Sequence, residues 1–240
     1  MIRLFFLLAV CSAALLGFWY GSGVLPRKER MKAVAGIHPE KEFPVREYKS
    51  FVIALYAHND AAWCERTLSS IFSQDYEHFR ILFIDDGSRD DTYERVNDFV
   101  VANQQEHRVI LMRNERQMGV GPSLQRIAGH CLDHEVVVPL RLSDWLTNQN
   151  VLAAVNGAFQ NPDVWIVCGR TLCYPSYEFL ELPDWKKGGY SDYEGLRAFY
   201  ASLLREVSLT DFSLVPLLER SGGRVKNVLA PTLFRNQANT

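Results

Sequence analysis

The chain has 240 residues, a formal net charge of −2 and a pI near 6.3. That length favours one domain, and an apolar fraction of 48% with 22% charged residues excludes a disordered or fibrous protein. No basic excess points to nucleic acid as a partner. Five cysteines without a CxxC pair, and six histidines without HExxH spacing, offer no basis for a structural zinc site or a dense disulfide framework.

The first element is the run Leu4 to Leu25, which carries no charge. As a helix it would reach about 33 Å, against a bilayer core of about 30 Å. Arg27, Lys28, Arg30 and Lys32 follow it and only Arg3 precedes it, so the positive-inside rule keeps the rest of the chain in the cytoplasm. Residues 1–26 are therefore expected to be a single-pass membrane helix. The alternative is a cleaved signal peptide, with Arg3 as its basic start and Gly21, Ser22 and Gly23 near a cleavage site. The odd cysteine count suits a reducing compartment better. Residues 27–48, charged and punctuated by Pro39 and Pro44, read as a linker or short polar helix, and the domain proper spans 49–236.

From Phe51 onward, short apolar runs alternate with amphipathic ones. Phe51–Tyr56 reads as a buried strand and Ala62–Ser73 as a helix with Leu68, Ile71 and Phe72 inward. Arg80–Ile84 is a second strand, and Asp91 with Glu94 opens a helix to about Asn103 in the pattern of a capping box. Val109–Met112, Val136–Leu140 and Val164–Val167 read as strands, separated by helices over Gly121–Cys131 and Asn150–Phe159. This alternation predicts an α/β domain with a mostly parallel sheet. Ligands in such sheets bind outside the carboxyl ends of the strands, here Ala57–Asp60, Asp85–Ser88 and Arg141–Asp144. Read alone, Asp85-Asp86-Gly87-Ser88 is a polar turn capping the following helix. No GxGxxG, GxxxxGK[ST] or GxSxG motif is present.

Several of these segments together resemble family 2 glycosyltransferases of the GT-A fold, a three-layer sandwich. The resemblance rests on Ala57-His58-Asn59 after the first strand, Ser73-Gln74 closing the first helix, and Ile84-Asp85-Asp86-Gly87-Ser88. It continues through Asn114, Met118-Gly119-Val120-Gly121 and Asp144-Trp145-Leu146. It implies a pocket for a nucleotide-diphosphate sugar. Asp85, with Asp86 beside it, would hydrogen-bond the base. His58 would stack on the base in place of the family's tyrosine, and Asn59 matches the asparagine that follows. Arg116 would touch the nucleotide, with Arg113 nearly as good a candidate.

The family's third signature, Asp-x-Asp, binds Mg²⁺ or Mn²⁺ that offsets charge on the departing diphosphate. Aligned on Asp144-Trp145-Leu146, this chain has Arg141 and Ser143 at the two metal-binding positions, leaving Asp144 as a weak metal candidate. A guanidinium repels a cation, and the oxygen ligands are too few. Three outcomes follow. Arg141 contacts the diphosphate as a fixed cation; or the domain no longer catalyses and serves binding or scaffolding; or Arg141 turns to solvent and pairs with nearby acids. The resemblance also assigns Asp211, at the start of a late helix, as the general base for an acceptor hydroxyl of unknown identity. Tyr174–Tyr193 is a candidate acceptor loop.

Overall fold

The computed structural model describes residues 47–180, 195–206 and 215–237. The expected membrane helix and linker up to residue 46, most of the candidate acceptor loop and Asp211 lie outside the described residues. No helix among the described residues is long and apolar enough to cross a membrane.

The first strand, β1 (Phe51–Ala57), is buried along its whole length. Its seven residues include only one polar atom beyond the backbone, the Tyr56 hydroxyl, so both faces can be covered by apolar neighbours. A 3-10 turn (Ala61–Trp63) leads into α1 (Cys64–Phe72), which turns Cys64, Leu68 and Ile71 inward. Then follow β2 (Phe79–Asp85), α2 (Thr92–Ala102), β3 (Val109–Arg113), α3 (Val120–Ala128) and β4 (Val136–Arg141). Each lies within a few residues of its expected place. Phe72 is the exception to the expected inward set: it is half-buried and stacks on Phe99 with ring centroids 6.1 Å apart.

The expected capping box is not made. Asp91 stands at the N-cap of α2 without a side-chain cap bond. Its carboxylate pairs instead with Arg95 one turn on, at 2.7 Å. Asp90 accepts the Thr92 N–H at 3.1 Å and the Thr92 hydroxyl at 2.5 Å.

β1 pairs in parallel with β2 on one side and β4 on the other, and β2 pairs in parallel with β3. The chain thus runs outward from β1 to β3 and returns to β4 across β1. In open α/β sheets such a reversal, here between the carboxyl ends of β1 and β4, is a position where ligands bind.

The remainder carries more structure than the apolar pattern foretold. After β5 (Trp145–Leu146) and α4 (Val151–Ala158) come β6 (Ile166–Tyr174), β7 (Leu196–Tyr200), α5 (Ala201–Glu206), α6 (Val215–Ser221) and β8 (Val225–Asn236). Among the described residues one sheet has the order β3-β2-β1-β4-β7-β6-β8-β5. β7 is antiparallel to both β4 and β6, and β5 is antiparallel to β8, so the second half of the sheet is mixed. Gly222 and Gly223, both at positive φ, end α6 as glycines past a helix terminus do.

Two apolar clusters cover the two faces. One gathers Phe51, Ile53 and Leu55 of β1 with Leu68 of α1, Val96 of α2 and Leu152 of α4. The other gathers Val52, Ala54 and Tyr56 with Leu124 and Ile127 of α3 and Leu203 of α5. Period-two alternation along β1 thus feeds both layers, and the result is the expected three-layer α/β sandwich.

Candidate functional site

Asp86 is the hub of the loops beyond β1, β2 and β3. It is fully buried. Its carboxylate accepts the amide N–H of Asn114 at 2.7 Å, the backbone N–H groups of Met118 and Gly119 at 2.8 Å each, and the Tyr56 hydroxyl at 3.1 Å. Burial pushes the carboxyl up, but these four donors outweigh it and hold it below the ordinary carboxylate range. The same contact, with burial, pushes the Tyr56 phenol up and keeps it a donor. Gly119, at φ 91°, turns the two backbone N–H groups toward one carboxylate at the entry to α3. The double-aspartate turn therefore caps α3, a later helix than the one that follows it directly.

Asp85 is equally buried and points elsewhere. It accepts the N–H and the hydroxyl of Ser88, and its other oxygen lies 2.9 Å from Nε of Arg113. Arg113 also reaches Glu94 at 3.0 Å and the Ser88 carbonyl at 3.1 Å. Asp85 thus lies beneath the loop surface, and Arg113 is the group above it that faces outward.

Above this network is a cleft of about 860 Å³, lined by His58, Asn59, Ser88, Arg89, Arg113 and Arg116 among others. The structure brings together His58, Asn59 and Arg116 in its wall, with Asp85 and Asp86 supporting the loops beneath. His58 Nδ1 lies 2.9 Å from the Asp86 carbonyl, which can only accept, so Nδ1 carries the proton. Nε2 is then the acceptor for the Asn59 amide at 3.1 Å. Asn59, at φ 57°, accepts the Arg89 N–H at 2.8 Å and donates its own N–H to Ser88 at 2.9 Å. These bonds tie the β1 and β2 loops into one wall. Three guanidiniums and only Glu115 as a carboxylate line the cleft, so it favours an anionic ligand.

Arg141 ends β4, directly across the reversal from Tyr56 of β1. The Asp144 N–H donates to the Arg141 carbonyl at 3.0 Å, closing a turn. Asp144 is 5% exposed and accepts the Asn236 N–H at 2.9 Å. Burial pushes its carboxyl up to about 6, against the Asn236 N–H and the positive fields of Arg141 and Arg235. Among the described residues no three of His, Cys, Asp and Glu gather as a metal would require. A hydroxyl, one buried carboxyl already holding an N–H, and two guanidiniums do not fit a divalent cation.

Arg235 was not singled out by the sequence, which carries no signal that this arginine returns opposite Asp144, just past β4. Nor did spacing reveal that Arg113 clamps Asp85. A buried aspartate needs a partner, so any arginine at the end of the adjacent strand was the available clue.

The model of the family "Glycosyl transferase family 2" matches residues 50–201, more than half of the chain. Solved structures share the fold. A mannosyltransferase PcManGT from Pyrobaculum calidifontis, in complex with GDP-Man and Mn²⁺, is 18% identical with a TM-score of 0.62, over 96% of this chain and 66% of that one. TarS 1-349 of S. aureus is 13% identical with a TM-score of 0.62, over 78% of this chain and 60% of that one. TarS 1-349 is also known in complex with UDP-GlcNAc. GalNAc-T7 with UDP, GalNAc and Mn²⁺ is 13% identical with a TM-score of 0.61, over 80% of this chain and 44% of that one. No curated protein matches the chain. The chain spans about three fifths of the length of TarS 1-349. With its parallel half-sheet, its Asp-Asp-Gly-Ser turn and this match, the chain belongs to glycosyl transferase family 2.

Proposed function

We propose that the chain binds a nucleoside-diphosphate sugar in the cleft between His58 and Arg116 and transfers the sugar to an acceptor hydroxyl without a divalent cation. The observation that carries this reading is the cleft itself, open at the carboxyl ends of β1, β2 and β3 and walled by Arg89, Arg113 and Arg116. His58, held flat by the Asp86 carbonyl and Asn59, offers a ring face to a base. Relatives of the same fold hold UDP-GlcNAc and GDP-Man. In the transfer, the acceptor oxygen bonds to the anomeric carbon while the bond from that carbon to the diphosphate breaks. The hydroxyl proton passes to a carboxylate base, for which Asp211 is the candidate, and the nucleoside diphosphate leaves.

The test is a thermal-shift panel of UDP-, GDP- and TDP-sugars, each with Mn²⁺ and with EDTA. A rise in melting temperature with one donor class, unchanged by EDTA, supports the reading; no rise with any donor overturns it. A second reading, a binding or scaffold protein without turnover, is favoured by Arg141 and Ser143 standing where the family has aspartates. Asp211→Asn separates the two: a transferase keeps donor binding and loses donor hydrolysis and transfer, whereas a scaffold shows neither activity before nor after the change.

Membrane attachment is a further part of the proposal, supported by the uncharged run Leu4–Leu25 and the cations after it. Residues 1–26 would anchor the domain at residues 49–236 on the cytoplasmic face. Resistance to alkaline extraction with an intact N-terminus supports anchoring. Cleavage between Gly17 and Pro26 overturns it.

A further inference from the structure

The place where the family would bind a cation has a defined arrangement here. β5 and β8 are antiparallel with Trp145 opposite Phe234 and Leu146 opposite Leu233. The Trp145 and Phe234 rings stack at 5.4 Å, which fixes that register. Continued by one residue, it sets Asp144 opposite Arg235, and the next residue, Asn236, donates its N–H to the Asp144 carboxylate. Arg141 lies at the other end of the Asp144 turn. Both arginines are half-buried. Burial, and after it the field of Arg141, push the Arg235 guanidinium below its ordinary value, with Asp144 opposing.

We propose that Arg141 and Arg235 form a paired cationic clamp for the diphosphate of the donor, in the position a divalent cation would take. The proposal rests on the donor reading above and adds to it the group that holds the diphosphate. Two guanidiniums facing one buried carboxyl repel each other, and a dianion between them relieves that repulsion while accepting planar, paired N–H bonds. The distance is suitable. His58 follows the end of β1 and Arg141 ends the adjacent β4, while the cleft extends over β2 and β3. In the sheet order β4 lies two strand spacings, about 10 Å, from β2, a span that a nucleotide reaching from the cleft to Arg141 would cover, and the β5–β8 pairing carries Arg235 to the Asp144 turn just past β4. Asp144 and its stack hold the pair in place and are positioning residues.

The test is calorimetric binding, in EDTA, of uridine, UMP and UDP and of guanosine, GMP and GDP to the full chain. The clamp predicts that one diphosphate binds at least tenfold tighter than its monophosphate without metal. Arg235→Ala and Arg141→Ala should each erase about tenfold of that increment and leave nucleoside binding unchanged. Arg235→Lys, which keeps charge but not the fork, should recover part of it, and this variant guards against loss of fold. If a nucleoside binds but its diphosphate gains nothing over the monophosphate, or gains only with Mn²⁺, the clamp is overturned and the donor reading stands. If neither series binds at all, the clamp is overturned, and the donor reading falls with it when the TDP-sugars of the thermal-shift panel give no rise either.

Discussion

At the residue scale, the site depends on two buried carboxylates that do different work. Asp86 accepts only, and every partner it has donates. Asp86→Asn would place an NH₂ against those donors, and we expect a loss of about 3 kcal/mol in urea unfolding at pH 7. The pH dependence has a definite sign. A carboxyl held below its ordinary range in the folded state adds stability above the unfolded value, and that stability is lost as pH falls through the folded value. Wild-type protein should therefore lose stability below about pH 4, and the Asn variant should show a flatter acid limb. Arg113 is 41% exposed at the side chain while Asp85 beneath it is fully buried. Solvent screens their attraction, so Arg113→Ala should cost about 1–2 kcal/mol, and it should weaken nucleotide binding as well. Read alone the Asp-Asp-Gly-Ser turn was a polar cap, and it became legible as a functional place only through the family resemblance of the segments around it. Which donors its carboxylates would find was not legible, since Asn114, Met118 and Arg113 arrive from more than twenty residues away.

At the element scale, two contacts join loops that are distant in sequence. Gly87 stands at φ 69°, and a Cβ there would lie 2.6 Å from the Arg116 carbonyl carbon and 2.7 Å from the Gln117 nitrogen. Gly87→Ala therefore meets both backbone strain and overlap. We expect a loss of about 3 kcal/mol and a cleft whose wall is displaced, read as lower melting temperature and weaker nucleotide binding together. Trp145 stacks on Trp63 at 6.0 Å and on Phe234 at 5.4 Å, with the Arg66 guanidinium 4.5 Å from its centroid. It is half-buried, so Trp145→Ala should cost about 2–3 kcal/mol, less than a fully buried tryptophan. It should also remove the gain of diphosphate over monophosphate, because the β5–β8 register sets Arg235 against Asp144. The elements from β1 to α4, apart from the two-residue β5, were readable because each apolar run is short and bounded by turn residues. β7 and β8 were not, because their apolar residues do not alternate cleanly and their partners are strands far along the chain.

At the scale of the whole molecule, the sheet divides into a parallel half whose loops form the cleft and a mixed half that sets Arg235 opposite Asp144, just past β4. A nucleotide that binds only the folded state should raise unfolding free energy by about 2.7 kcal/mol at a concentration of 100 Kd, seen as a concentration-dependent rise in melting temperature. That rise should be the same in EDTA. By itself the sequence determined the α/β class and the strand-end loop segments, because hydrophobic period and turn residues are local properties of the chain, while the three-layer arrangement followed from the family resemblance. Only the tertiary structure decided that Asp85 lies under Arg113, that Asp86 gathers the α3 entry, and that Arg235 stands opposite Asp144. Those pairings depend on strand order and register, which are set by packing between segments and leave no periodic trace in any one of them.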